Sequence, residues 1–141
     1  MNVNKIIVAY DGSQSSQRAL DWALMLANSS LHSTITAVTV IKPPEFSPII
    51  SEVDEFLADA EKYYQPLLEK VKELGLSHNV EIKTEILKGH PAESIAKYAH
   101  AQNTDLIITG TRGLGGFKTL LIGSVAQKLV SYSKVPVLVI K

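Results

Sequence analysis

The stretch richest in potential chemistry runs from Thr109 to Ser124: Thr-Gly-Thr-Arg-Gly-Leu-Gly-Gly-Phe-Lys-Thr-Leu-Leu-Ile-Gly-Ser. Gly110, Gly113, Gly115 and Gly116 fall within seven residues, directly after an apolar run. Glycines in such a place let the backbone come close to a ligand and take up positive φ. Gly123-Ser124 then opens a helix, where the first N–H groups have no partner within the helix and the dipole favours an anion. Ser124 adds a hydroxyl donor, and Arg112 and Lys118 place two cations on the same loop. Hydrogen bonds to a charged partner contribute roughly 1.5–3 kcal/mol each, so roughly three or four of these donors can hold a polyphosphate against the costs of binding. The loop is not a Walker A motif, because no Gly-Lys-Ser/Thr ends it. Nor does the dinucleotide fingerprint follow the first strand, where Asp11-Gly12-Ser13-Gln14 stands instead.

The elements that must position this loop are legible from periodicity. Lys5 to Tyr10 is a continuous β-branched run that reads as a strand buried on both faces. Ser13 can cap a helix through about Asn28, with Ala19, Ala23, Leu26 and Ala27 along one side. Thr34 to Ile41 is a second strand, stopped by Pro43-Pro44. From Ser51 to Leu74, the positions Val53, Leu57, Ala60, Tyr64, Leu67, Val71 and Leu74 step by four and three. That spacing predicts a long amphipathic helix, kinked or split at Pro66 and ended near Gly75. Val80 to Leu87 is a half-exposed strand near a sheet edge. Pro91 then begins a helix buried through Ala92, Ile95, Ala96 and Ala99. Asp105 to Gly110 is a fourth strand, Ser124 to Ser133 a helix, and Val135 to Ile140 a fifth strand. Strict alternation of strands and helices gives a parallel α/β sheet with right-handed crossovers.

Composition fits that frame. The 141 residues are 45% apolar and 20% charged, enough for a core without cross-links, and there is no cysteine. Fourteen basic and fourteen acidic side chains cancel, so no overall field recruits nucleic acid or an anionic membrane. No apolar run is long enough to span a bilayer, and the N-terminal segment lacks a signal-peptide core. We expect a single soluble domain over residues 1–141, located in the cytoplasm. The acidic run Asp54, Glu55, Asp59 and Glu61 reads as the solvated side of the long helix, and the four histidines share no metal-ligand spacing.

Gly110, two residues, Gly113, nine residues, then Gly123-Ser124 resembles the ATP-binding signature of the universal stress protein family. The likeness extends along the whole chain: Val-Ala-Tyr-Asp-Gly-Ser at the start, Gly-His-Pro-Ala-Glu in the middle, Thr-Asp-Leu-Ile-Ile-Thr-Gly-Thr-Arg-Gly, and the terminal Pro-Val-Leu-Val-Ile. The resemblance implies an open five-stranded parallel sheet of order 3-2-1-4-5 with helices on both faces. It implies ATP across the carboxyl ends of the first and fourth strands, and a crevice is expected there independently, because that order reverses the winding between those strands. Carried over by position, the phosphates meet Gly110, Arg112, Gly113, Gly123, Ser124 and the Val125 amide, while Ala9, Asp11 and Val40 frame adenine and ribose. Ala9 stands where some ATP-binding members carry proline. Asp11 has an alternative role as a helix-capping residue. Ser124 would assist a Mg²⁺ already bridging the phosphates. The resemblance also implies a homodimer paired through Val135 to Ile140, which would cover an otherwise open strand edge.

Rival readings differ in class. A phosphoacceptor receiver needs a carboxylate at the end of the third strand, where Lys88-Gly89 stands, so that reading fails. A fast ATPase needs a positioned base and metal-holding carboxylates. Near the loop only Asp11 is available, which favours holding ATP over turning it over. An interaction module that binds no nucleotide and a true hydrolase both stay open at this stage.

Overall fold

Ile6, Ile7 and Val8 are buried whichever side of the backbone they occupy, as a central parallel strand requires. The computed structural model describes residues 2–29, 32–45, 49–111 and 123–141. In chain order the elements are β1 (Lys5–Ala9), α1 (Gln14–Asn28), β2 (Thr34–Ile41), α2 (Ile50–Ser77), β3 (Ile82–Lys88), α3 (Pro91–Ala101), β4 (Leu106–Gly110), α4 (Ser124–Tyr132) and β5 (Val137–Ile140). The strands form one parallel sheet in the order β3-β2-β1-β4-β5, as the family resemblance implies. Ala9 lies in register with Val38, Ile6 with Leu106, and Ile107 with Val137. The winding reverses between β1 and β4, the place where open sheets of this kind form a crevice.

Strand alternation splits the core into two layers. Ile6, Val8, Tyr10 and Ile108 pack against Ala19, Leu20 and Ala23 of α1 and Leu68 and Val71 of α2. Ile7, Val38 and Ile107 face the other way, onto Ala92, Ile95 and Ala99 of α3 and Leu129 of α4. The small residues of α1 and α3 matter, because alanine lets a helix lie close to a β-branched sheet surface.

The long helix ends at Ser77, near Gly75 as expected. It passes Pro66 without breaking, and Pro66 and Lys62 are both exposed, so the carbonyl that proline cannot bond stays in water. It also continues through Gly75. A Cβ on Gly75 would lie 2.6 Å from the Val80 carbonyl oxygen and 2.6 Å from Ile82 Cγ1, so the glycine admits the start of β3 and is no terminator. The end comes at Asn79, whose φ of 58° turns the chain, while Val80 N–H returns to the Gly75 carbonyl at 2.9 Å. That bond keeps Val80 out of β3, which therefore starts two residues later than the apolar run suggests. Val135 is held out of β5 in a similar way. Its N–H donates to Ser133 Oγ at 3.0 Å, and that hydroxyl donates to the Val135 carbonyl at 2.7 Å. Pro136 precedes the strand, and its carbonyl accepts from Ile107 N–H.

The burial of α2 is uneven. Its buried residues are Leu68, Val71 and Gly75, all in the second half. Val53, Leu57, Ala60 and Tyr64 continue the same stripe but are only half-buried, so the first turns extend beyond the carboxyl edge of the sheet.

At the opposite edge, Asp105 Oδ2 accepts from the Asn4 and Lys5 amides, both at 2.9 Å. These bonds hold the Asp105 carboxyl below its ordinary range.

Two outcomes follow for stability. Gly75→Ala should destabilise by about 1–3 kcal/mol in chemical denaturation, reversing the gain of about 1 kcal/mol that alanine brings to an open helix site. Asp105→Ala should lower the thermal midpoint at neutral pH. Because the folded pKa is depressed, the contribution exists above the unfolded value of about 3.9 and vanishes as pH falls through the lower folded value. The gap between variant and parent in a pH series of melting curves should therefore close on the acid side.

Candidate functional site

The carboxyl edge between β1 and β4 is built by two short turns. After β1, Tyr10 N–H donates to the Val38 carbonyl at 2.9 Å, and the buried Thr39 hydroxyl donates to the Tyr10 carbonyl at 2.7 Å, which seals β1 to β2. Gly12 then takes φ +85°, a conformation open to glycine, and swings the chain into α1. Asp11 Oδ1 accepts from Ser13 N–H at 2.9 Å, and Ser13, the N-cap, accepts from Ser16 N–H at 3.2 Å. Ser16 Oγ donates to the Ser13 carbonyl at 2.9 Å. Asp11 thus holds the turn into α1 from two residues before the cap, a close relative of the capping role open to it in the sequence.

The second turn is β4 into α4. A Cβ on Gly110 would sit 1.9 Å from Ser15 Oγ and 2.7 Å from the Ser15 carbonyl carbon, so only glycine lets the first turn of α1 rest on the end of β4. Thr111 follows, buried, with its N–H donating to the Ile140 carbonyl at 2.9 Å. The Thr111 carbonyl accepts from Gly123 N–H at 2.5 Å, and Gly123 is the N-cap of α4. The first bond inside α4 runs from Gln127 N–H to the Gly123 carbonyl, 3.1 Å. The amides of Ser124, Val125 and Ala126 therefore have no acceptor within the helix. Two consecutive residues, Gly110 and Thr111, hold the starts of two helices against one strand end, and both helices turn the positive end of their dipole toward it.

On the α3–α4 side of the sheet, half-buried Ala9, Val40 and Val125 pack on the same apolar cluster, together with Leu87. They form a low apolar rim at the ends of β1 and β2. Of the residues expected at the site, Ala9, Asp11, Val40, Gly110, Gly123, Ser124 and Val125 thus lie around one edge. Arg112 and Gly113 lie outside the described residues, as do Gly115, Gly116 and Lys118. The Gly123 amide is spent on Thr111, so Gly123 shapes the helix start while its neighbours supply the donors. Gly110 likewise has a packing duty that glycine counting does not reveal.

Tyrosines complete the surroundings. Tyr10 is buried, and its hydroxyl accepts a hydrogen bond from the Gln17 side-chain amide. Burial first, and the Asp11 charge second, raise its pKa, with the Gln17 bond opposing. Tyr64 of α2 reaches the same corner, where burial, the Asp11 charge and Tyr63 raise its pKa in that order. Tyr63 is exposed and meets the Tyr64 ring edge-on at 5.1 Å. The sequence stripe marks Tyr64 as inward but gives no hint of Asp11, since α2 follows in the chain only after β2. An apolar rim, helix-start amides and a carboxylate-braced turn thus lie together at one sheet edge, where the winding reverses.

A family model described as the universal stress protein family matches residues 2–141. The chain is 33% identical over 153 residues to the universal stress protein YxiE of Bacillus subtilis, across 98% of this chain and 99% of that one. Among solved structures it superposes on the hypothetical protein MJ0577 with a TM-score of 0.90 and 26% identity, covering 99% and 96% of the two chains. It also matches a universal stress protein in complex with cAMP, with a TM-score of 0.73 and 25% identity over 98% and 97%. With the matched sheet order and near-complete coverage, these findings place the chain in the universal stress protein family.

Proposed function

We propose that this protein binds ATP, with its Mg²⁺, at the carboxyl edge between β1 and β4, and works as a nucleotide-dependent switch in a cytoplasmic stress response. The observation that supports the reading is the pair of helix starts held on Gly110 and Thr111, which brings the positive ends of two helix dipoles to the same sheet edge. In this reading the Ser124 and Val125 amides, with Arg112 and Gly113, take the phosphates. Gly110 and Gly123 keep the backbone close. Ala9 and Val40 back the adenine, and Asp11 faces the ribose. The relative solved with cAMP supports an adenine nucleotide as the ligand class.

The same residues argue for holding over hydrolysis. Fast hydrolysis needs a base that orients water and carboxylates that fix the metal. Around this edge the described residues offer Asp11, whose Oδ1 already accepts from Ser13 N–H. Mg²⁺ then enters with the phosphates, and turnover on bound ATP is slow.

We also infer a homodimer through β5. The bonds from Ile107 N–H to the Pro136 carbonyl and from Thr111 N–H to the Ile140 carbonyl fix which backbone groups face β4. By alternation, the Val137 and Val139 amides point outward, on an edge that a second copy would pair.

Ser124→Asp separates ligand binding from packing. An acidic residue in the first turn of a helix stabilises it by roughly 0.3–1 kcal/mol, so the melting temperature should hold or rise. The same charge repels phosphate, and ATP affinity measured by titration calorimetry should fall by about tenfold or more. Unchanged affinity would remove the phosphate site from the helix start. Val139→Pro should leave the β4 ladder intact while blocking the outward amide, converting a dimer to a monomer in sedimentation velocity. A dimer that survives this substitution is built on another surface.

A further inference from the structure

The first half of α2 overhangs the sheet and carries an apolar row that its own core does not use. Ile49, Phe56 and Tyr63 recur at intervals of seven and are 49%, 45% and 60% exposed. Seven residues are nearly two turns, so the three line one flank of the helix over about 21 Å. Glu52 and Asp59 repeat at the same interval one step round the helix, which sets a row of carboxylates beside the apolar one. From Ile50 to Tyr63 the chain carries Glu52, Asp54, Glu55, Asp59 and Glu61 against Lys62 alone. Glu61 is paired with Lys88 at 2.9 Å, whereas Asp54, Glu55 and Asp59 have no cationic partner among the described residues.

We propose that this flank, Ile49, Phe56 and Tyr63 with Glu52 and Asp59 alongside, docks a cationic amphipathic helix of a partner protein. The heptad interval matches the way side chains of one helix seat between those of another. The sign of the charge selects the occupant. A second copy of this chain would bring like carboxylate rows together, and nucleic acid or an anionic membrane would meet the same repulsion. A helix with lysine or arginine beside its own apolar row matches both features at once. The surface lies on α2 outside the nucleotide crevice, so the proposal goes beyond the nucleotide reading and stands without it.

The test titrates the full chain with two synthetic helical peptides of about 20 residues, long enough to hold a helix, sharing one leucine heptad pattern. In one peptide the flanking positions are lysine, in the other glutamate. The lysine peptide should bind and the glutamate peptide should bind at least about tenfold more weakly. Phe56→Ser should weaken the lysine peptide about tenfold, as expected for removal of a central aromatic anchor. The double variant Glu52→Lys, Asp59→Lys keeps the apolar row and should reverse the preference between peptides, which gives an answer even if Phe56→Ser folds poorly. Failure of the lysine peptide to bind overturns the proposal, as does equal binding to parent and variants, which would put the contact elsewhere. Self-association of the parent that Phe56→Ser abolishes would give the row to a second copy and overturn it as well.

Discussion

Everything at the carboxyl edge depends on how closely α1 can approach the end of β4. A methyl group on Gly110 would fall within bonding range of Ser15 Oγ, so the approach exists only because position 110 has no side chain. With α1 seated there, Gly12 must turn with positive φ and Asp11 must brace Ser13, for the chain has only that distance in which to leave β1 and enter the helix. The next residue, Thr111, fixes α4 through the Gly123 amide and β5 through the Ile140 carbonyl. Four elements thus meet at the last residue of one strand and the residue after it. The candidate site follows from that junction, since the first amides of α4 have no acceptor within their own helix.

Much of this could be read from residue order. Strand runs of isoleucine and valine, bounded by glycine or proline, announce themselves by composition, and their alternation with helical stripes gives a parallel sheet, whose strand order only the family resemblance supplied. What escaped were contacts between segments distant in the chain. Gly75 looks like a helix stop because glycine often is one, yet its purpose lies in Val80 and Ile82, which crowd it from outside. Pro66 looks like a break because local rules ignore which side of the helix faces water. The candidate site shows the same division. A glycine pattern located the loop, while the reason for Gly110, the spent amide of Gly123 and the approach of Leu67 in α2 to the turn at Gly12 needed three-dimensional neighbours.

The two edges of the sheet are built from different chemistry. At the amino edge a carboxylate, Asp105, answers two backbone amides and closes β4 onto β1. At the carboxyl edge hydroxyls and glycines predominate, and the first amides of α4 have no acceptor within the helix. A carboxylate that accepts from amides at one end, and the positive ends of two helix dipoles at the other, thus share a single pair of strands.

The uneven burial of α2 carries a consequence for how such chains can diverge. Its second half is locked by Leu68, Val71 and Gly75, whereas no residue before Tyr64 is needed to fill the interior. Changes of length at that end would meet half-buried side chains, Val53, Leu57 and Ala60, and no fully buried one. Length variation should therefore accumulate between the second strand and the middle of this helix, where it would alter reach and partner choice while leaving the scaffold as it is.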